Sequence, residues 1–483
     1  MNWILISDII YIVLLVPVSL QIIRDTRSST KTLAYLLLVI FLPVFGIIFY
    51  FSFGINYHKR QVYTKKLFDD EVLGTELRER IISKTHTNLL NNQAAIQDGK
   101  SLVNLLLKDS WSPLTEGNRV KFLFNGEEKF PELLHALRGA THHIHLEYYI
   151  IENDIISNQL KEVLIQKARQ GVQVRVIYDD FGSRAIRKKF VRELHQGGVE
   201  AYPFNRIKLL FLANRLNYRN HRKIIIVDGK CGFVGGINIS DRYINRPESQ
   251  NEYYWRDTHL RIDGPGIFYL QYIFFCDWNF CSRQRLTPET IYFSSPKPDD
   301  ANVNVQIAAS GPDSPTPTIM LSIFKAINLA RKEILITTPY FIPGESLLDA
   351  LKVAALSGVA VKLLAPGFSD SRLVNAAAWS YYDDLLTAGV EIYMYRKGFV
   401  HAKTMVVDGY ISVVGTANMD FRSYELNFEV NALVYGEETA TQLAQAFTND
   451  LFHAEKLIPA TWANRSGYKK LFERIARLLS PLL

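Results

Sequence analysis

Apolar positions fall into two regimes along this chain of 483 residues. Residues 3–23 carry a single charge, Asp8, and residues 33–53 carry none. As helices, runs of about twenty apolar residues match the thickness of a bilayer core. The pattern therefore predicts two transmembrane helices joined by a short loop. A cleaved leader is disfavoured, because the first run lacks a basic start and a small-residue cleavage site, and a second run follows.

Beyond residue 115 the pattern becomes short apolar runs separated by amphipathic stretches, and it occurs twice in the same order. Strand-like runs at 120–126 and 305–311 open the copies, and runs at 143–151 and 333–342 follow. Helical patterns at 158–171 and 346–358 each end at glycine, a C-terminal signal. Apolar strands at 172–178 and 359–365 come next, then Gly198-Val199-Glu200-Ala201-Tyr202 and Gly389-Val390-Glu391-Ile392-Tyr393. Alternating strands and helices predict an α/β sheet in each copy. The duplication predicts pseudo-two-fold packing of two tandem α/β domains. The resulting division is 1–60 for the membrane helices, 61–115 for a connector, 116–295 for the first domain and 296–483 for the second.

The copies differ at one place. Tyr202 lies nineteen residues before His221, whereas Tyr393 lies eight before His401. The eleven extra residues fall at 206–216 and mix apolar with basic side chains. They form a buried strand or an ordinary loop, or they help admit acyl chains, with Lys208 and Arg215 at headgroup level. At the C-terminus, Leu471, Ile475, Leu478 and Leu482 share a helical stripe from which Lys470, Arg474 and Arg477 are displaced. Such a helix can lie in a membrane interface or pack on the domain.

Charge narrows the setting. The formal net charge of +7 suits an anionic partner, either a lipid surface or nucleic acid. The apolar hairpin favours lipid. Arg24, Arg27 and Lys31 lie in the loop, against Lys59, Arg60, Lys65 and Lys66 after the second run. This bias favours both termini and the main body on the cytoplasmic side. Cys231, Cys276 and Cys281 form neither a disulfide framework nor a zinc pattern and read as buried thiols. His142, His143 and His145 fit a strand better than a metal site.

The chemistry resides in a duplicated polar set. His221, Lys223, Asp228, Gly235 and Asn238 recur as His401, Lys403, Asp408, Gly415 and Asn418, with identical spacing. Apolar strand-like runs end at Asp228-Gly229 and Asp408-Gly409, a hairpin signal. On a strand, His and Lys two residues apart face the same way. After the returning strand, a helix is expected to begin near each Asn, where free N–H groups attract anions. An imidazole, an ammonium and a carboxamide per copy read as two phosphate half-sites that must meet.

This pattern resembles the HKD motif of the phospholipase D superfamily, present twice and intact. The flanking Asn220-His221-Arg222-Lys223-Ile224, Trp255-Arg256-Asp257-Thr258-His259, Thr416-Ala417-Asn418-Met419-Asp420, Arg422-Ser423-Tyr424 and Leu426-Asn427-Phe428-Glu429 are similar to bacterial cardiolipin synthases over essentially the whole chain. The resemblance implies a candidate catalytic set of His221, Lys223, Asp228, His401, Lys403 and Asp408, with Asn238 and Asn418 binding phosphate. It implies His221 as nucleophile and His401 as general acid and then base, without metal or cofactor. It also implies that a carboxylate downstream of each His orients it: Glu429 for His401 and Asp257 for His221. Within the set, Asp228 and Asp408 fit better as braces of the hairpins than as proton carriers.

The implied reaction consumes two phosphatidylglycerol molecules in a bacterial cell membrane and yields cardiolipin and glycerol, with no nucleic-acid partner. The nearest rival is a membrane phospholipase D using water or another alcohol. A nuclease leaves the apolar hairpin unexplained, and a silent scaffold would not keep both motifs complete.

Overall fold

The computed structural model describes residues 3–26, 29–51, 71–92, 96–205, 218–245, 254–282, 284, 286, 289–293, 296–368 and 371–480. The segment at 206–216, expected to contact acyl chains, and Leu482 of the C-terminal stripe lie outside these residues.

The first copy supplies strands β1 (Thr115–Phe124), β2 (His143–Tyr148), β3 (Gln173–Asp179), β4 (Glu200–Phe204), β5 (Lys223–Val227), β6 (Cys231–Gly235), β7 (Tyr254–Arg256) and β8 (Thr258–Asp263). The second supplies β9 (Val303–Ser310), β10 (Glu333–Thr337), β11 (Phe341–Ile342), β12 (Ala360–Pro366), β13 (Glu391–Tyr395), β14 (Gly398–Val400), β15 (Thr404–Val407), β16 (Ile411–Gly415), β17 (Met419–Asp420), β18 (Glu429–Tyr435) and β19 (Ala454–Lys456). Fifteen of these form one mixed sheet centred on the antiparallel pair β1–β9. Outward from that pair the order is β1-β8-β6-β5-β2-β3-β4 on one side. On the other it is β9-β18-β16-β15-β10-β12-β13, with β19 added at the edge. The strands thus correspond one to one, so the sequence repeat is also a repeat in space.

The outer strands β2-β3-β4 and β10-β12-β13 are parallel, joined by crossover helices such as Ile155–Arg169 and Gly344–Leu356. The run predicted as one strand at 333–342 is split into β10 and β11. Pro339 lies in the gap, and a proline cannot donate to a sheet ladder. Helices Ile267–Ser282 and Glu437–Leu451 follow β8 and β18 and share one apolar core. Trp278 and Phe274 from the first and Leu443 and Phe447 from the second join Ile262 and Val430 there. Burial across the seam holds the two halves together.

At the N-terminus, α1 (Trp3–Asp25), α2 (Ser29–Phe41) and α3 (Pro43–Phe49) form a hairpin. Among the described residues no helix is long and apolar enough to cross a membrane. The continuous helix expected at 33–53 is broken, because Leu42 leaves the helical region (φ −131°, ψ 67°) and Pro43 restarts it. A proline ring disfavours helical geometry at the preceding residue. Val18, Ile22, Val39 and Tyr50 pack inside the hairpin, while Leu20, Phe41 and Val44 face outward.

Candidate active site

Each motif is a hairpin with its two ends doing different work. Asp228-Gly229 and Asp408-Gly409 turn the chain with φ of 53°, 65°, 51° and 70°, as a type I′ turn requires. The Asp228 carboxylate accepts hydrogen bonds from the backbone N–H of Thr141 (2.8 Å), His142 (2.8 Å) and His143 (2.9 Å). Asp408 does the same for Arg331 (2.7 Å), Lys332 (2.7 Å) and Glu333 (2.9 Å). These aspartates fasten the turn to the start of β2 or β10. They lie at the far end of the motif strand, roughly 20 Å of extended chain from the histidine. Neither aspartate lines the cleft, and the brace expected of them lies away from it.

The histidines precede the strands rather than lying on them. β5 begins at Lys223 and β15 at Thr404. The backbone N–H of His221 donates to the Phe428 carbonyl (3.0 Å), and that of His401 to the Arg256 carbonyl (2.7 Å). β14, just before His401, also pairs with β7, just before Asp257. Each histidine is thereby stitched to the segment that carries the other half's carboxylate.

The orientation inferred from spacing is accordingly reversed. His221 Nδ1 lies 2.9 Å from Glu429 Oε2, and His401 Nδ1 lies 2.7 Å from Asp257 Oδ2. Glu429 serves His221 and Asp257 serves His401, because the cross-half bridges bring these pairs together. A carboxylate accepts, so each Nδ1 carries the proton and Nε2 is left for chemistry. Each carboxylate is fixed within its own half. Thr416 Oγ1 donates to Glu429 (2.5 Å), while at the equivalent position Gly236 lets Asp257 approach where a Cβ would collide at 2.1 Å.

Both histidines open on one cavity of about 460 Å³, which Asn238 and Asn418 also line. Lys223 and Lys403 are buried beside it, each Nζ donating to the carbonyl of its own motif histidine, at 2.9 Å for Lys223. Burial pushes Lys223 down to about 7, against the supporting charge of Glu429. Burial also lowers both imidazoles, His401 to about 3, and Lys403 reinforces this at His401. The empty cleft thus holds neutral histidines in a setting that gains charge when an anion enters.

Asn238 Nδ2 donates to the Tyr243 hydroxyl (2.8 Å) and Asn418 Nδ2 to Asp420 Oδ2 (3.0 Å). Their Oδ1 atoms have no partner among the described residues. A half-turn of the Asn238 amide keeps its bond, since a hydroxyl both donates and accepts, and frees N–H groups for a phosphate. At Asn418 the same turn needs a protonated Asp420, whose carboxyl burial pushes up. The helix starts expected after these asparagines are absent. A short 3₁₀ turn (Asp241–Tyr243) follows one, and β17 with a π turn (Arg422–Leu426) follows the other.

The lining includes arginines the motif does not contain: Arg219, Arg242 and Arg422. Arg242 and Arg422 each lie four residues after a motif Asn, a recurrence visible in the sequence. His143 and His145 are buried in β2 and held neutral by burial, His145 stacked on Phe274 with ring centroids 4.4 Å apart. Among the described residues no cluster of three or more His, Cys, Asp or Glu is placed to hold a metal ion. Cys231 and Cys276 are buried free thiols and Cys281 is half-buried.

Two imidazole–carboxylate pairs built across a duplicated sheet, over one cavity flanked by buried lysines, define an enzyme of phosphodiester exchange. Comparison with known proteins narrows the class. The family model "Cardiolipin synthase, PLD-like domain" matches residues 133–259 and 323–451, and "Phospholipase D-nuclease N-terminal" matches 9–54. The cardiolipin synthase of Alkalihalophilus pseudofirmus is 40% identical over 99% of this chain and 93% of its own. The major cardiolipin synthase of Bacillus subtilis is 42% identical over 96% of this chain and 95% of its own. A phosphatidylserine synthase structure from Haemophilus influenzae shares the fold at 15% identity, with a TM-score of 0.57 over 79% of this chain and all of its own. The chain belongs to the bacterial cardiolipin synthases of the phospholipase D superfamily. Its activity is cardiolipin synthesis by phosphatidyl transfer.

Proposed function

We propose that the chain joins two phosphatidylglycerol molecules through a phosphatidyl-His221 intermediate. His221 Nε2 attacks phosphorus of the first lipid while Glu429 supports the positive charge growing on the ring. The bond from phosphorus to the terminal glycerol oxygen breaks, and protonated His401 gives that oxygen its proton. Neutral His401 then takes the proton from the terminal hydroxyl of the second lipid. That oxygen bonds to phosphorus, the P–N bond breaks, and cardiolipin leaves with both histidines restored. Lys223 and Lys403, with Asn238 and Asn418, stabilise the phosphoryl oxygens. The phosphodiester itself supplies the negative charge that protonates His401 and Lys223.

The observation that carries this reading is the pair of imidazoles on one cavity, each with Nδ1 held by a buried carboxylate. Incubating the purified protein with headgroup-labelled phosphatidylglycerol tests it. Labelled glycerol and cardiolipin in equal amounts are expected, and phosphatidic acid as the main product would overturn it.

The setting we propose is a bacterial cell membrane, with the N-terminal hairpin inserted as two spans and the catalytic body at the cytoplasmic face. Its outward apolar side chains and the arginine and lysine distribution around it support this. A second contact is the helix Gly467–Leu478. Its Tyr468, Leu471, Phe472, Ile475 and Leu478 are all exposed, Leu478 at 78%, beside Lys469 and Arg474. That helix packs on Arg372–Trp379, whose Val374 lines the cavity, so the stripe lies close to the cleft. We place the seam between the domains 116–295 and 296–483 at the β1–β9 pair.

A further inference from the structure

The helix Asn125–Arg138 turns one face to the core, where Phe130, Leu133, Leu134 and Leu137 are buried at helical spacing. Lys129 stands on the same face and is 0% exposed. A lysine is almost never fully buried unless it is paired. The partner here is backbone. Lys129 Nζ donates to the Ile237 carbonyl at 2.8 Å and, more distantly, to the Asn238 carbonyl at 3.5 Å. It also lies over the rings of Tyr148 and Phe130, 4.8 Å and 4.9 Å from their centroids. Burial pushes its pKa well below the ordinary lysine value, and the charge of Asp257 counters that fall.

The first turn of the same helix grips the rest of that wall. The Asn125 N–H donates to the Asp257 carbonyl, and Asn125 Oδ1 accepts from the Asp257 N–H, both at 2.9 Å. Glu127 Oε1 accepts from the Asn245 N–H at 2.9 Å. Gly126 lies so near the Tyr243 carbonyl that a Cβ would meet it at 2.8 Å. One helix start therefore locates Asn238, Tyr243 and the carboxylate that orients His401.

The other half is built differently. Thr141–His143, bonded to Asp228, correspond to Arg331–Glu333, bonded to Asp408, so Lys129 falls in register with Ile319. Ile319 is buried in an apolar core. Asn418 is fixed instead through its own N–H, which donates to Ser423 Oγ at 3.1 Å. There a hydroxyl five residues on does the work that an ammonium from a separate helix does for Asn238.

We propose that Lys129 is a positioning residue for phosphatidyl transfer, holding the Ile237–Asn238 backbone so that the Asn238 amide meets the phosphoryl oxygens. The inference rests on the reading above in which Asn238 and Asn418 stabilise those oxygens. Lys129 itself does not line the cavity and touches no substrate. It acts through placement, and a donor displaced by about 1 Å can cost roughly 10²-fold in rate.

The test is a pair of double-mutant cycles on the full-length protein in phosphatidylglycerol vesicles, read as kcat for glycerol release. Asn238→Ala is expected to cost about 10²-fold, the scale of one lost oxyanion donor. Lys129→Met keeps the stem, removes the donors and should cost at least about tenfold. Added to Asn238→Ala, it should cost no more than about twofold further, because both changes disable one amide. Combined with Asn418→Ala the losses should multiply, since Asn418 is held separately. Lys129→Gln retains a donor and should recover part of the rate. Losses that multiply in both cycles, or in neither, would overturn the proposal, as would Lys129→Met at full rate. If Lys129→Met fails to fold, Lys129→Gln is expected to show the same contrast between the two cycles in smaller measure. Wild-type protein that releases no glycerol, or Asn238→Ala at full rate, would defeat the reading of the site beneath the proposal and the proposal with it.

Discussion

Nδ1 of His221 lies 2.9 Å from the carboxylate of Glu429, 208 residues further along the chain and in the opposite half of the sheet. The converse pair, His401 with Asp257, spans 144 residues at 2.7 Å. Neither half therefore holds a complete histidine–carboxylate pair, and the site exists only when both halves have docked.

The crossing separates the roles of the two acids. Asp257→Asn weakens His401, which protonates the leaving group, so phosphatidylglycerol turnover should fall by about 10²–10⁴. A p-nitrophenyl phosphodiester needs no such proton, and the first-turnover burst of p-nitrophenol from that ester should fall less than tenfold. Glu429→Asn acts on the nucleophile and should depress both substrates alike. Burst-phase rates of leaving-group release from the two substrates decide this, and the reverse pattern would make His401 the nucleophile.

Anion binding should draw a proton from solvent. Lys223 sits at about 7 in the empty site, so at pH 8 it is mostly neutral, and a phosphodiester beside it restores the charge. Calorimetry at pH 8 in buffers of different ionisation enthalpy should show proton uptake on binding glycerophosphoglycerol. Lys223→Arg, permanently charged, should lose the Lys223 share of that uptake and leave only that of His401.

Glu147 is buried behind Asn220, which donates to it at 2.5 Å, and burial pushes its carboxyl up to about 7 from 4.5. A raised acid favours the folded state while protonated, so its penalty is absent below pH 4.5 and complete above pH 7. Such a shift amounts to roughly 3 kcal/mol. Between pH 4.5 and 8 the stability of Glu147→Gln relative to the wild type should improve by about that amount, as read from denaturant midpoints. A flat difference would refute it.

Asp228 and Asp408 should matter for folding rather than turnover. Each holds three backbone N–H groups of the neighbouring strand start, and charged hydrogen bonds are worth about 1.5–3 kcal/mol each before relaxation. Asp228→Ala should lower the melting temperature by several degrees while leaving kcat within about threefold below the transition. A loss of the size seen for His221→Ala would return Asp228 to the chemistry.

The exposed stripe on Gly467–Leu478 should control docking. Leu471→Asp with Ile475→Asp should reduce sedimentation with anionic vesicles while leaving hydrolysis of a soluble phosphodiester intact. Unchanged vesicle binding would show that this helix faces something other than lipid.

The sequence by itself determined the two motifs, their hairpin turns, the α/β alternation and the duplication. Each follows from local rules: period-two apolar runs, Asp-Gly with positive φ, and glycine at helix ends. It also carried the identities of both orienting acids, but not their partners. Spacing counts residues along the chain, whereas pairing here depends on the backbone bridges His221–Phe428 and His401–Arg256, which only docking of the halves creates. For the same reason Arg219 was indistinguishable from any basic residue beside a motif until the fold buried it over Phe181 at the cavity wall. The break at Leu42-Pro43 was written in the sequence, yet a count of apolar residues overlooks it, because hydropathy sums side chains and ignores the missing proline N–H. Tertiary structure alone decided which carboxylate each histidine meets, since that depends on residues from both halves meeting across the seam.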